Sequence, residues 1–106
     1  MGNKTYDFDE IPQHEPGIDK TLQERGARYG EFNQHARITQ NLKRAMQDSP
    51  NWLALRDDQK EALEMVAHKV GRILNGDPDY HDSWHDIVGY AKLVADTLVP
   101  VPEDNP

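Results

Sequence analysis

The 106-residue sequence contains no cysteine, which excludes disulfide bonds and thiolate metal sites. It has no apolar run near the roughly 18 residues that a membrane-spanning helix needs, and no basic-then-apolar signal for secretion. Positive charge is also scarce, because 12 Lys and Arg stand against 19 Asp and Glu and leave a net charge of −7. We therefore expect a cytoplasmic protein that contacts no membrane and lacks the basic footprint of a nucleic-acid-binding protein.

Strand signals are equally sparse, since no segment alternates apolar and polar residues with a period of two. Helical spacing recurs instead. It predicts an all-α fold, a small antiparallel helical bundle with three strong helices at about 32–47, 58–75 and 82–99 and a weaker N-terminal one at about 18–27. Residues 1–17 are expected to form a flexible acidic arm, residues 18–99 the bundle, and residues 100–106 a disordered Pro-rich tail. Because this domain is small, we expect its core to be completed by oligomerisation, as a homodimer or higher oligomer.

Local signals set the predicted ends of the third helix. Asp58 and Glu61, three residues apart, have the form of a capping box at its start. Asn75-Gly76 predicts a left-handed end. Just before this helix, Trp52 and its leucine neighbours are predicted to plug the core.

The fourth helix is predicted to bury one broad apolar face. The residues of that face are Trp84, Ile87, Val88, Ala91, Val94, Ala95 and Leu98.

Two helix faces carry most of the candidate chemistry. Glu61, Glu64 and His68 share one face of the third helix, and Asp82 and Asp86 share one face of the fourth. Two carboxylate stripes on adjacent helices can hold a divalent cation, and a carboxylate set favours Mg²⁺ or Mn²⁺. The same residues also suit the solvated faces of two ordinary surface helices, so both interpretations stay open at this point.

The fourth helix favours a crevice over an open surface. Gly89 costs about 1 kcal/mol relative to alanine inside a helix, which points to a packed neighbour or a ligand that approaches the backbone. Leu93 continues the stripe of Asp86, and Asp86 lies beyond the first turn, where capping would explain it. Asp82, in contrast, also suits the N-cap of this helix.

The acidic motif resembles that of a known group of enzymes. Glu61-x-x-Glu64 is followed after 17 residues by Asp82-x-x-x-Asp86-Ile-Val-Gly-Tyr-Ala, and this pattern is similar to the metal-binding signature of the MazG-like all-α nucleoside triphosphate pyrophosphohydrolases. In that signature the second pair of acids is three residues apart, whereas here it is four apart. Both spacings keep the two acids on one helix face.

A second resemblance covers roughly residues 19–98. Lys69-Val-Gly-Arg72-Ile73, the Asp82 motif and Arg28-Tyr29-Gly30 are similar to a phage- and prophage-encoded group of small proteins of unknown function. The ending of the Asp82 motif also looks like that of a nucleotide-modification-associated domain.

The resemblance implies metal-assisted hydrolysis of a nucleoside triphosphate to the monophosphate and pyrophosphate, in phage nucleotide metabolism. Glu61, Glu64 and Asp86, together with Asp82, would hold Mg²⁺ or Mn²⁺, which would activate a water molecule. The residues expected to contact the nucleotide are His68, Lys69, Arg72, Arg28 and Tyr29.

Two other functions stay open. The first is a non-catalytic helical module that binds a host or phage protein, with Tyr6 and Phe8 of the acidic arm as anchors. The second is nucleic-acid binding through the cations between Arg25 and Arg44, which the net charge of the chain disfavours.

Overall fold

The computed structural model describes residues 17–100, which form four α-helices and no strand. The helices are α1 (Ile18–Tyr29), α2 (Phe32–Gln47), α3 (Asp57–Asn75) and α4 (His81–Ala95), with a 3₁₀ turn (Trp52–Ala54) before α3. The all-α prediction is thereby confirmed for this part of the chain. Residues 1–16 of the predicted arm and residues 101–106 of the predicted tail lie outside the described residues.

The central helix of the bundle is α3, which packs most extensively against α4 and next against α2. Lys69 bonds to Asp86 and Arg56 bonds to Thr97, so α3 and α4 run antiparallel as predicted. Contacts of α1 with α2 and α3 are fewer, and α1 has no buried residue. Over residues 17–100, no helix combines the length and apolar character that crossing a membrane requires.

The start of α3 differs from the prediction. The helix begins at Asp57, with Arg56 in the cap position, so the proposed capping box of Asp58 and Glu61 is wrong. Gln59 Oε1 accepts a hydrogen bond from the Arg56 backbone N–H at 2.9 Å, and the Arg56 guanidinium bonds to the Asp58 carboxylate. Because the helix starts earlier than expected, Asp58 lies inside the first turn and cannot cap it.

The end of α3 is fixed by close approach, not by a left-handed residue. Gly76 has φ −125°, so the predicted left-handed end is wrong. A Cβ at Gly76 would overlap the backbone of Tyr29, which explains the glycine. The Asn75 side-chain amide donates hydrogen bonds to the backbone oxygens of Tyr29 (2.8 Å) and Glu31 (2.9 Å). The α1–α2 loop, with Gly30 at φ 82°, is therefore held against the C-terminus of α3.

The fourth helix also differs from the prediction. It ends at Ala95 and not near Val99. Of its predicted buried face, Ile87 and Val94 are partly buried. The large side chains of that face that are exposed are Trp84 (52%), Val88 (63%) and Leu98 (46%). The predicted face is therefore only half covered, because α3 reaches one flank of α4.

The interior between the helices is unusually polar. The buried apolar residues are Trp52 and Ala67 among those the structure describes, and the prediction that Trp52 enters the core is confirmed. The adjacent Leu53 is 88% exposed. The buried polar or charged residues are His35, Thr39, Lys69, Arg72 and Ser83. Two of these, Lys69 and Arg72 of α3, carry a full positive charge. Buried charges are costly and are frequent at functional sites.

Candidate functional site

A buried lysine pairs with a half-exposed carboxylate between α3 and α4. Lys69 Nζ lies 3.0 Å from Asp86 Oδ2, and the Lys69 side chain is 8% exposed whereas that of Asp86 is 41% exposed. The pair satisfies the ammonium group, which would otherwise be costly to bury. One end of the pair is therefore fixed in the interior, and the other faces solvent.

The pair lies in an open groove of about 550 Å³ along α4. The groove is lined by Lys69, His85, Asp86, Gly89, Tyr90, Lys92, Leu93 and Asp96. Lys92 bonds to Asp96 at 3.0 Å within α4. Among the described residues, nothing lies within 4 Å of the position that a Gly89 Cβ would take, so the groove is open to the helix backbone at Gly89.

The second buried cation stacks on a tyrosine. The Arg72 guanidinium carbon lies 4.2 Å from the ring centroid of Tyr29, and Arg28 lies 5.2 Å from that of Tyr80. The two tyrosine rings meet edge to face with centroids 6.0 Å apart. Among residues 17–100, no carboxylate forms an ion pair with Arg72. The structure thus brings Arg28, Tyr29 and Arg72 into one cation–aromatic cluster, which is separate from the lining of the groove.

A histidine pair lies between α2 and α3. His35 Nε2 and His68 Nδ1 are 3.4 Å apart, and the ring centroids are 4.7 Å apart. Burial, followed by the nearby charge of Arg72, lowers the pKa of both rings, that of His68 to about 3. Both rings are therefore neutral at pH 7. Neutral histidines leave the positive charge of the interior to Lys69 and Arg72.

The predicted acidic residues differ in exposure and in their partners. Glu61 is exposed on α3 and Glu64 is partly exposed one turn further along. Asp82 is exposed at the start of α4, where its carboxylate accepts a hydrogen bond from Tyr80 Oη at 3.2 Å. The N-cap position belongs to Tyr80, so the alternative role of Asp82 as N-cap is wrong.

These acids do not form a ready-made metal site. Over residues 17–100, no group of three or more His, Asp or Glu side chains is arranged to hold a metal ion. Asp86 already has Lys69 as its partner. As arranged, the residues do not fit a preformed magnesium centre.

Sequence reasoning missed two features of this interior. It named His68 as a nucleotide contact and did not foresee that the ring lies against His35. It considered Lys69 as a phosphate ligand but did not foresee that the side chain is buried. In both cases the available signal was an ionisable residue at a position that faces a neighbouring helix. Lys69 and Arg72 are both such residues, and both are buried.

Comparison with protein families gives one match. A family model described as Domain of unknown function (DUF6378) matches residues 19–98, which is most of the chain, and the chain therefore belongs to this family. Comparison with curated proteins and with solved structures finds no match.

Proposed function

Starting from membership of this family, we propose that the protein binds a nucleotide in the groove along α4, with phosphate oxygens taking the place of the Asp86 carboxylate on Lys69. The observation that carries this proposal is the Lys69–Asp86 pair, in which a buried ammonium is neutralised by a carboxylate that faces an open groove. A phosphate oxygen is, like the carboxylate oxygen that it replaces, a negatively charged acceptor for a hydrogen bond from the ammonium group.

The charge of the interior supports an anionic ligand. Lys69 and Arg72 are both buried, and the one carboxylate paired with either of them among the described residues is Asp86. The interior of this acidic chain is therefore locally positive, which attracts anions in spite of the overall charge of −7.

The size and lining of the groove also suit a nucleotide. A volume of about 550 Å³ falls within the range of small-molecule sites, about 300–1,000 Å³. Lys92 and His85 add polar groups near Lys69, and Tyr90 and Leu93 provide aromatic and apolar surface for a base. Tyr29, which sequence analysis assigned to the nucleotide, has the Arg72 guanidinium over its ring, so a base would have to displace that group. The roles of His68, Arg28, Tyr29 and Arg72 in binding stay predictions.

The proposal also includes magnesium-dependent hydrolysis of the bound nucleotide. It rests on the resemblance to MazG-like pyrophosphohydrolases and to phage-encoded proteins. For Glu61, Glu64, Asp82 and Asp86 to hold Mg²⁺ or Mn²⁺, these carboxylates would have to converge from the positions that they occupy in the structure. Release of pyrophosphate from nucleoside triphosphates in the presence of Mg²⁺, with Asp86→Ala as control, tests this part separately from binding.

Self-association belongs to the proposal as well. The described part of the chain buries little apolar surface, and a homodimer or higher oligomer would supply the missing core. The alternative function, a non-catalytic module that binds a host or phage protein, is supported by the exposure of Phe32 (70%) and Leu53 (88%), neither of which lines the groove.

Two substitutions with opposite expected effects test nucleotide binding. Lys69→Met removes the cation and should weaken binding at least tenfold, since a hydrogen bond to a charged group contributes about 1.5–3 kcal/mol. Asp86→Asn removes the competing carboxylate and should strengthen binding in the absence of divalent metal. Titration calorimetry with ribo- and deoxyribonucleoside triphosphates, with and without EDTA, measures both effects.

Lys20→Met is the matched control, because it removes one positive charge from an exposed position on α1. It should leave binding unchanged. Wild-type affinity in Lys69→Met, or no binding of any nucleotide at millimolar concentration, would contradict the proposal and favour the interaction module.

A further inference from the structure

An exposed apolar stripe runs along α4. Trp84, Val88, Ala91 and Ala95 follow one another at intervals of four, three and four residues, and all four are exposed. This spacing is that of the a and d positions of a heptad, which mark the contact line between two packed helices. No helix of the described chain covers this line.

The adjacent helix carries a matching stripe. Leu63, Ala67, Val70 and Leu74 of α3 repeat the intervals of four, three and four. Leu63 is 42% and Leu74 is 64% exposed, whereas Ala67 is buried. Both helices of the α3–α4 hairpin therefore have a heptad line that is at least partly open.

Helix geometry places the two stripes on the same side of the hairpin. At 100° per residue, the α4 stripe lies about a quarter-turn from the flank that contains Ile87 and faces α3. Asp86 and Leu93 of the groove lie on the opposite quarter-turn. Because α3 and α4 run antiparallel, the stripe of α3 faces the same way as that of α4. We refer to the two stripes together as the apolar face, and the groove opens on the other side of the hairpin.

We infer that the apolar face binds the apolar face of a second copy of this chain, so that two α3–α4 hairpins form a four-helix bundle. The inference deepens the self-association that is part of the proposed function, and it does not depend on nucleotide binding. Two hairpins that each lack a covered apolar side complete each other in this arrangement, which is a common architecture for helical dimers.

The extent of the apolar face fits a dimer. Two helices, each about 10 Å wide, along the roughly 22 Å of α4 give a footprint of about 450 Å² per chain. Side chains that project from this footprint present more accessible surface than its flat area. The accessible area of the apolar face therefore comes closer than the flat footprint to the roughly 600 Å² per partner at which stable interfaces begin.

The order of side-chain sizes suits a two-fold axis near Ala91. With the two α4 helices antiparallel, Ala91 lies opposite Ala91 of the second copy, and Val88 lies next to Ala95, one residue beyond the position directly opposite. The small side chains allow the helices to approach closely at the centre, and the bulky Trp84 fills the space where they diverge. A second copy presents the same side chains across such an axis.

Cysteine cross-linking tests the axis, because the chain has no cysteine of its own. Ala91→Cys brings two thiols within the short Cβ–Cβ distance that a disulfide requires, about 3.5–4.5 Å, and should give a covalent dimer under mild oxidation. Leu93→Cys, on the groove side of the same helix, should stay monomeric in a denaturing gel.

Sedimentation of two matched variants tests the face. Val88 and Leu93 are 63% and 68% exposed, so glutamate should be tolerated by the fold at both positions, as helix content by circular dichroism would verify. We expect a dimeric wild type, a monomeric Val88→Glu variant and a dimeric Leu93→Glu variant.

Self-association and the choice of the apolar face are contradicted by different results. A monomeric wild type at about 100 μM would overturn self-association itself. A dimeric wild type that gives no cross-link at Ala91→Cys and stays dimeric as Val88→Glu would overturn the choice of this face. Neither result bears on nucleotide binding, which calorimetry measures on the same protein.

Discussion

The ionisation of His68 is coupled to folding. Its pKa is lowered to about 3 because burial disfavours the charged ring, and the nearby charge of Arg72 adds to the effect. The unfolded chain binds a proton at His68 below a pH of about 6.5, whereas the folded chain does not. The contribution of the neutral His68 ring to the free energy of unfolding is therefore fully present above pH 6.5 and is lost progressively as the pH falls towards 3.

His68→Gln should reduce this loss, because glutamine is polar but does not titrate. We expect the free energy of unfolding of the wild type to fall by about 1 kcal/mol per pH unit more than that of His68→Gln between pH 6.5 and pH 5. Urea unfolding at a series of pH values measures the difference. An unchanged slope in His68→Gln would contradict the assignment.

Individual residues of the site were only partly predictable. Asp86 was singled out because it lies beyond the capping range of α4, and in the structure it is one of the residues that line the groove. Its partner Lys69 could not be found from periodicity. The contact joins two helices, and the apolar spacing of one helix does not show how that helix is rotated relative to its neighbour. The predicted convergence of Glu61 and Glu64 with Asp86 would need the same missing information.

At the scale of elements, two glycines provide a matched pair of tests. Gly89→Ala should stabilise the protein by about 0.5–1 kcal/mol, because it lies inside α4 and its Cβ would meet nothing within 4 Å. Gly76→Ala should destabilise it by about 1–3 kcal/mol, because its Cβ would overlap the backbone of Arg28 and Tyr29.

Urea unfolding of both variants under identical conditions shows whether each substitution raises or lowers the free energy of unfolding. A loss of stability in Gly89→Ala would show that another chain packs closely against this position. Gly89→Leu in the same series should leave helix content intact and block nucleotide binding, since its side chain would occupy the groove.

The helices themselves were predictable because apolar spacing is a local property. The bounds of α2 agree with the prediction, Phe32–Gln47. The N-terminus of α3 was misplaced because several polar residues in a row, Arg56 to Gln59, can all interact with the first turn. The flank of α4 that α3 covers could not be predicted, since Ile87 and Val88 are both apolar and both lie within the broad face.

At the scale of the whole molecule, stability should depend on protein concentration. If two chains bury their apolar faces together, each tenfold increase in concentration should stabilise the dimer by about 1.4 kcal/mol relative to unfolded chains. Thermal unfolding from about 2 to 200 μM measures the shift. Val88→Glu should unfold at a temperature that does not change with concentration, and a constant midpoint in the wild type would contradict the dimer.

The attachment of α1 has a consequence for the order in which the protein opens. This helix has no buried residue, and it is held at its last turn, where the backbone oxygens of Arg28 and Tyr29 accept hydrogen bonds from Asp77 and Asn75. The amide protons of its first two turns should exchange with solvent well before those of α3. A protease should likewise cleave first within α1, and a single such cut would leave the α2–α4 bundle intact.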